Sequence, residues 1–321
     1  MKKSIKIWLI TAASLMLAGI ILFAGVMTML KWDFKKLSTQ KYIDKEQEIN
    51  ESYQGIVINV RTADIEVLPS DSETTTVKAH YESKHTYNVT VKDGNLYIEF
   101  TESKKWYDWI GIGFDSTKIT VYVPQSLYVS LTVNYSTGDL TVSDLDNLNK
   151  IDASGSTGDV TISNVSSKNM KLKASTGNVT LNNVTASSID ITTSTGDVNI
   201  RSATCSGSIN ISLSTGDTTL SGVRCKNFST SGNTGDVILQ DLIANENLSI
   251  ERSTGDVTFN ACDASSINVN TSTGNVKGTL CSNKIFNTKA TTGNVDVPES
   301  ISGGLCHIST TTGDINIKIL N

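Results

Sequence analysis

Histidine is nearly missing from this 321-residue chain, which closes the simplest route to a metal centre. The only histidines are His80, His85 and His307, and none stands at ligand spacing from a cysteine or a second histidine. Tryptophan stops at Trp109. From residue 131 onward the aromatic residues are Tyr135, Phe228, Phe259 and Phe286 alone. A core built there must stack aliphatic side chains. A basic stripe is also missing. Residues 1–130 hold 15 acids and 15 bases, and residues 131–321 hold 17 acids and 12 bases. The resulting net charge of −5 excludes nucleic acid as a natural partner. No glycine-rich phosphate loop and no nucleophile elbow occur, and no cofactor is expected. A helical period is absent after residue 30, so an alternating βαβ sheet is excluded.

What fills the space is a repeat. A Thr-Gly-Asp/Asn triplet places its glycine at Gly138, Gly158, Gly177, Gly196, Gly216, Gly235, Gly255, Gly274, Gly293 and Gly313. The intervals are 19 or 20 residues. A constant period of that length predicts a solenoid with one coil per repeat. Within a coil, apolar residues stand two apart on each side of the glycine, as in Ile189-Asp190-Ile191 and Val198-Asn199-Ile200. Period 2 puts both pairs on one face of a strand, turned inward. A third inward slot follows at Leu145, Val165, Val184, Ala203, Val223, Leu242, Cys262 and, less cleanly, Cys281. The fold class expected is all-β: a parallel β-solenoid of about ten coils over residues 131–321. Strands about 4.8 Å apart make a rod of roughly 48 Å.

The triplet has a structural explanation. Glycine reaches positive φ at a sharp corner without a Cβ clash, and Asp or Asn can bond nearby backbone groups. The alternative is a cation column carried by Asp197, Asp217, Asp236 and Asp256, where crowded carboxylates would gain from a divalent ion. Asn178, Asn275 and Asn294 interrupt the column, which favours turn chemistry. Cys205 and Cys225 stand in matching positions of adjacent coils, and so do Cys262 and Cys281. Either pair could form a disulfide at that strand spacing, or serve as small buried hydrophobes.

The N-terminal part differs. Lys2, Lys3 and Lys6 lie in a short cytoplasmic tail, residues 1–6, before an uncharged run from Ile7 to Leu30. That run is long enough to cross a bilayer as one helix, and longer than the apolar core of a cleaved signal peptide. Residues 31–52 are polar and mixed in charge, as expected of a linker or short helix. Residues 53–130 alternate irregularly, with a hairpin signal at Asp93-Gly94, and are expected to cap the solenoid. Trp106, Trp109, Ile110 and Phe114 form an apolar patch that would either fold over the first coil or contact lipid or a partner.

In segment order the chain resembles the bacterial putative-adhesin β-strand repeat family, domain-of-unknown-function family 4097, which includes LiaG-like envelope proteins. The resemblance rests on Gly55-Ile56-Val57-Ile58, Ala63-Asp64-Ile65-Glu66-Val67, Asp93-Gly94-Asn95-Leu96-Tyr97-Ile98, Val121-Tyr122-Val123-Pro124 and the serial Ser-Thr-Gly-Asp-Val units. It implies a membrane-anchored β-solenoid without catalytic residues. The expectation is a single-pass protein of the cell membrane whose C-terminal domain lies outside the cytoplasm. It would bind an envelope protein or a cell-wall carbohydrate, as an adhesin or an envelope-stress accessory protein. The alternative is a carbohydrate-active β-helix lyase or hydrolase. That would require a local cluster of acids or bases, whereas the acids here recur evenly.

Overall fold

The computed structural model describes residues 3–102, 115–127 and 129–320. A helix spans Lys3–Met29 and is apolar on all sides. Among the described residues it is the one helix long and apolar enough to cross a membrane, as an anchor or as a signal sequence. Its end is closed by Lys31 and Trp32, both in the left-handed region at φ 54° and 59°. The Trp32 N–H donates to the Met27 carbonyl at 2.8 Å, so the last turn keeps its acceptors satisfied.

The rest of the described chain is one sheet of 21 strands wound into a solenoid. Regular coils follow from the two-residue period. Val179 pairs with Val198, Leu181 with Ile200, Ile189 with Ile209 and Ile191 with Ile211, all parallel and in register. These side chains are buried and stack into inward rows. Backbone groups of one coil are satisfied by the next, so no coil is complete alone. Nine N–H···O bonds link the ten glycine corners, which makes about nine turns rather than ten.

Each regular coil also has a second corner, six residues after its glycine. Asp144, Asn164, Asn183, Ser202, Gly222, Asp241 and Ala261 all sit there at φ between 49° and 64°. The bend turns the third slot inward, and Val165, Val184, Ala203, Val223, Leu242 and Cys262 are buried as expected. Cys281 is not. It is exposed, and Leu280 takes the slot opposite Cys262. The cause is a register shift after Phe259, where Gly278 at φ 132° lies against the Phe259 backbone.

The coils are not stacked in chain order at either end. At the start, Gly55–Asn59 pairs with both Ser130–Thr137 and Asn95–Glu102. Asp64–Ser70 pairs with both Leu140–Ser143 and Lys118–Pro124. The first coil in sequence is therefore second in space. At the finish, Gly304–Thr312 lies between Val257–Thr273 and Lys284–Thr292, so the last coil is second from the end. Both inserted coils begin at a glycine in close contact with a neighbour, a movable side chain at Gly55 and fixed backbone at Gly304. Gly55 faces the Asn95 side chain, and Gly304 faces the Ser265 carbonyl. Beyond the first coils, Thr75–Glu82 and His85–Lys92 add antiparallel. Their Tyr81 and Tyr87 pack against Phe100, with ring centroids 5.1 to 5.5 Å apart. The 31–52 stretch, expected as a linker or short helix, holds a short 3-10 helix at Phe34–Leu37 and also contributes a strand. Tyr42–Ile49 pairs with Thr75–Glu82.

Candidate functional site

The dominant repeated feature is the corner column. All ten corner glycines have φ between 128° and 152°. Each corner is tied to the next by two bonds. The first runs from the glycine N–H to the threonine carbonyl before the neighbouring glycine, as from Gly196 to Thr215 at 3.0 Å. The second uses the acidic or amide side chain. The N–H of Asp217 donates to Asp197 Oδ1 at 2.9 Å, that of Asp236 to Asp217 Oδ1 at 2.8 Å, and that of Asp256 to Asp236 Oδ1 at 2.8 Å. Asn178 accepts from Asp197 in the same way at 2.9 Å. Asp64, beside Ala63, starts the ladder by accepting from Asp139. Only a side-chain oxygen is required, which is why either Asp or Asn serves in the column. Among the described residues no group of three or more His, Cys, Asp or Glu is placed to hold a metal ion.

Two consequences can be measured. The triple change Asp197→Asn, Asp217→Asn and Asp236→Asn keeps every acceptor, so the melting temperature should stay equal or rise slightly. Alanine at the same three positions should cost about 1 kcal/mol per corner. Millimolar calcium should move neither the parent nor the Asn variant; a rise in the parent alone would restore the cation reading. At Asp256, the Asn275 backbone N–H at 2.8 Å holds the carboxyl below its ordinary range, with help from the Asn275 side chain and Lys277. Its folded pKa is depressed. The stabilisation is therefore present above the unfolded carboxylate value near 4 and is lost as pH falls through the folded value. Asp256→Asn should flatten the acid limb of a thermal stability profile.

Two buried cations depart from the repeat. Arg252 is 4% exposed. Its Nη2 donates to Thr218 Oγ1 at 2.8 Å and Thr230 Oγ1 at 3.0 Å. Gly232 makes the room, since a Cβ there would lie 2.5 Å from Arg252 Nη1. Burial pulls the guanidinium down to about 10, against a smaller opposing effect of Asp217. A groove of about 530 Å³ crosses the coils here, lined mostly by small polar residues such as Thr192, Ser194, Ser212, Ser231, Asn233 and Asn270. The second cation is Lys284, 2% exposed, whose Nζ lies 2.5 Å from Asp263 Oδ1 and 2.7 Å from Ser282 Oγ.

The cysteines are all free thiols. Cys205 and Cys225 are in-register partners and buried, and burial pushes the Cys225 thiol up to about 12. The register shift separates Cys281 from the column of Cys262. Trp106, Trp109, Ile110 and Phe114 lie outside the described residues.

The family model described as Toastrack DUF4097 matches residues 53–212 and 205–321. A solved putative adhesin from Parabacteroides distasonis ATCC 8503 is 15% identical. It covers 87% of this chain and 98% of its own, with a TM-score of 0.52, which places the two in one fold. A putative adhesin from Bacteroides fragilis NCTC 9343 is 17% identical, covering 87% and 97% of the two chains with a TM-score of 0.37. A putative lipid binding protein from Parabacteroides distasonis ATCC 8503 is 17% identical, covering 86% and 97% with a TM-score of 0.40. No curated protein matches the chain.

Proposed function

Because this chain belongs to the Toastrack DUF4097 family, we infer that it is a non-catalytic binding rod of the cell envelope, held at the membrane by the helix Lys3–Met29. The observation that carries this reading is the uniformity of the corner column. Its acidic side chains are used to join coil to coil, as at Asp197, Asp217 and Asp236. A surface repeated at every coil suits an extended partner better than a single small substrate. The partner is an envelope protein or a cell-wall carbohydrate, and the role is adhesion or support of an envelope-stress response.

Topology is the first test. A cysteine probe placed after Asn321 should be labelled from outside intact cells, and mature protein should retain its helix. An active cytoplasmic reporter at the same position would reverse the orientation. A mature N-terminus near residue 26 would make the helix a cleaved signal. Capture of envelope components by the full chain then tests the binding role itself.

A further inference from the structure

We propose that the recess beside Asp263 and Lys284 binds a neutral polyhydroxylated ligand, one sugar unit of a glycan. This rests on the binding reading above and gives it a place and a chemistry. In the preceding coils the strand runs unbroken from corner to corner, as in Val237–Thr254 and Val257–Thr273. After Val276–Leu280 it stops, and a new strand starts at Lys284. Lys284 is in register with Gly304 of the inserted coil. From there the lysine side chain reaches Asp263 in the coil beyond. A recess of about 390 Å³ remains, bounded by Ile243, Ala264, Asn245, Asp263, Ser265 and Lys284. That volume suits a single ring.

The polar groups in it are only partly used. Asp263 Oδ1 accepts from Lys284 Nζ, from Ser282 Oγ at 3.0 Å and from the Ala264 N–H at 2.9 Å. Oδ2 has no hydrogen-bond partner among the described residues, and 21% of the side chain is exposed. Lys284 spends two of its three protons on Asp263 and Ser282. A free carboxylate oxygen beside a spare ammonium proton matches a hydroxyl group, which both donates and accepts. The charges also select. Asp263 and Lys284 neutralise each other, so an anion meets the carboxylate and a cation meets the ammonium. A neutral polyol escapes both penalties, and the half-buried Ile243 offers an apolar contact to its C–H face.

The test uses the full chain in lipid nanodiscs and ligand-observed NMR. The probes are a neutral N-acetylglucosamine disaccharide and a uronate disaccharide. Saturable binding of the neutral probe is expected, with the uronate at least tenfold weaker. Asp263→Asn should weaken the neutral probe at least tenfold. Breaking a buried ion pair can unfold a protein, so Asn245→Trp supplies a second variant. It blocks the mouth from an exposed position, and should abolish binding while the melting temperature stays unchanged. No saturable binding of the neutral probe, or equal binding by Asn245→Trp, overturns the proposal. If envelope components are still captured when the recess is blocked, this site is wrong and the wider binding role stands.

Discussion

Gly196→Val is expected to cost about 3 kcal/mol or more, and Gly235→Val the same. Two separate effects add at these corners. Gly196 sits at φ 138° and Gly235 at φ 130°, which a β-branched residue does not adopt without strain. A Cβ at Gly196 would also collide with the Gly177 carbonyl oxygen, and one at Gly235 with that of Gly216. Those oxygens belong to backbone held on both sides, so they cannot move aside as a flexible side chain would. Gly222 separates the two effects. It lies at φ 64°, and a Cβ there would meet nothing nearer than 3.9 Å. Asn183 already occupies the matching position in another coil at φ 51°. Gly222→Asn should therefore change stability by no more than about 0.5 kcal/mol. Chemical unfolding followed by circular dichroism would measure all three. Equal stability in both valine variants would remove the corner argument.

The regular coils were legible because period and burial coincide. A glycine every 19 or 20 residues fixes where the chain turns, and the apolar pairs around it fix which face points in. The second corner was harder to see. Asp144, Asn164, Asn183, Gly222 and Asp241 are residues that tolerate positive φ, and that signal was present. Ser202 and Ala261 in the same column blurred it, because stacking there overrides local preference. The order of the coils was not legible at all. Repeats that share one corner chemistry can stack in any order that keeps their columns. The exchange at each end is marked only by a glycine, Gly55 or Gly304, whose crowding appears once its neighbours are in place.

The same reasoning explains the site. The Asp/Asn column could be recognised, and its tolerance of amides pointed to hydrogen bonding. The partner of each oxygen, a backbone N–H in the adjacent coil, depends on the stack. Lys284 and Asp263 stand 21 residues apart, close to one period, yet Gly304–Thr312 lies between their strands. No spacing in the sequence announces a contact that skips a coil. Arg252 is similar. It looks like an exposed base until Gly232, Thr218 and Thr230 in the neighbouring coil are seen to make a buried seat for it.

Deleting a whole coil should be tolerated, and deleting half of one should not. Removal of residues 179–197 joins Asn178 directly to Val198. Val160 then faces Val198 in place of Val179, Ile162 faces Ile200, and Val165 faces Ala203. The Asp217 N–H finds Asn178 Oδ1 where it had Asp197 Oδ1, an acceptor the column already uses. One surplus residue near Gly207 is absorbed as before, since the strands on either side already differ by that bulge. The rod loses one coil and one interface, at a cost of about 2 kcal/mol. Removal of residues 179–188 instead joins Asn178 to Ile189. The next corner glycine, Gly196, then arrives nine residues after Gly177, where other coils place the buried Ser167 and Cys205. Inward and outward residues no longer match across the strands, and the glycine no longer meets a carbonyl of the column. That variant should lose its cooperative unfolding transition and aggregate through unpaired strands. Purification of the half-coil deletion as a stable, cooperatively unfolding protein would show that the columns do not set the register.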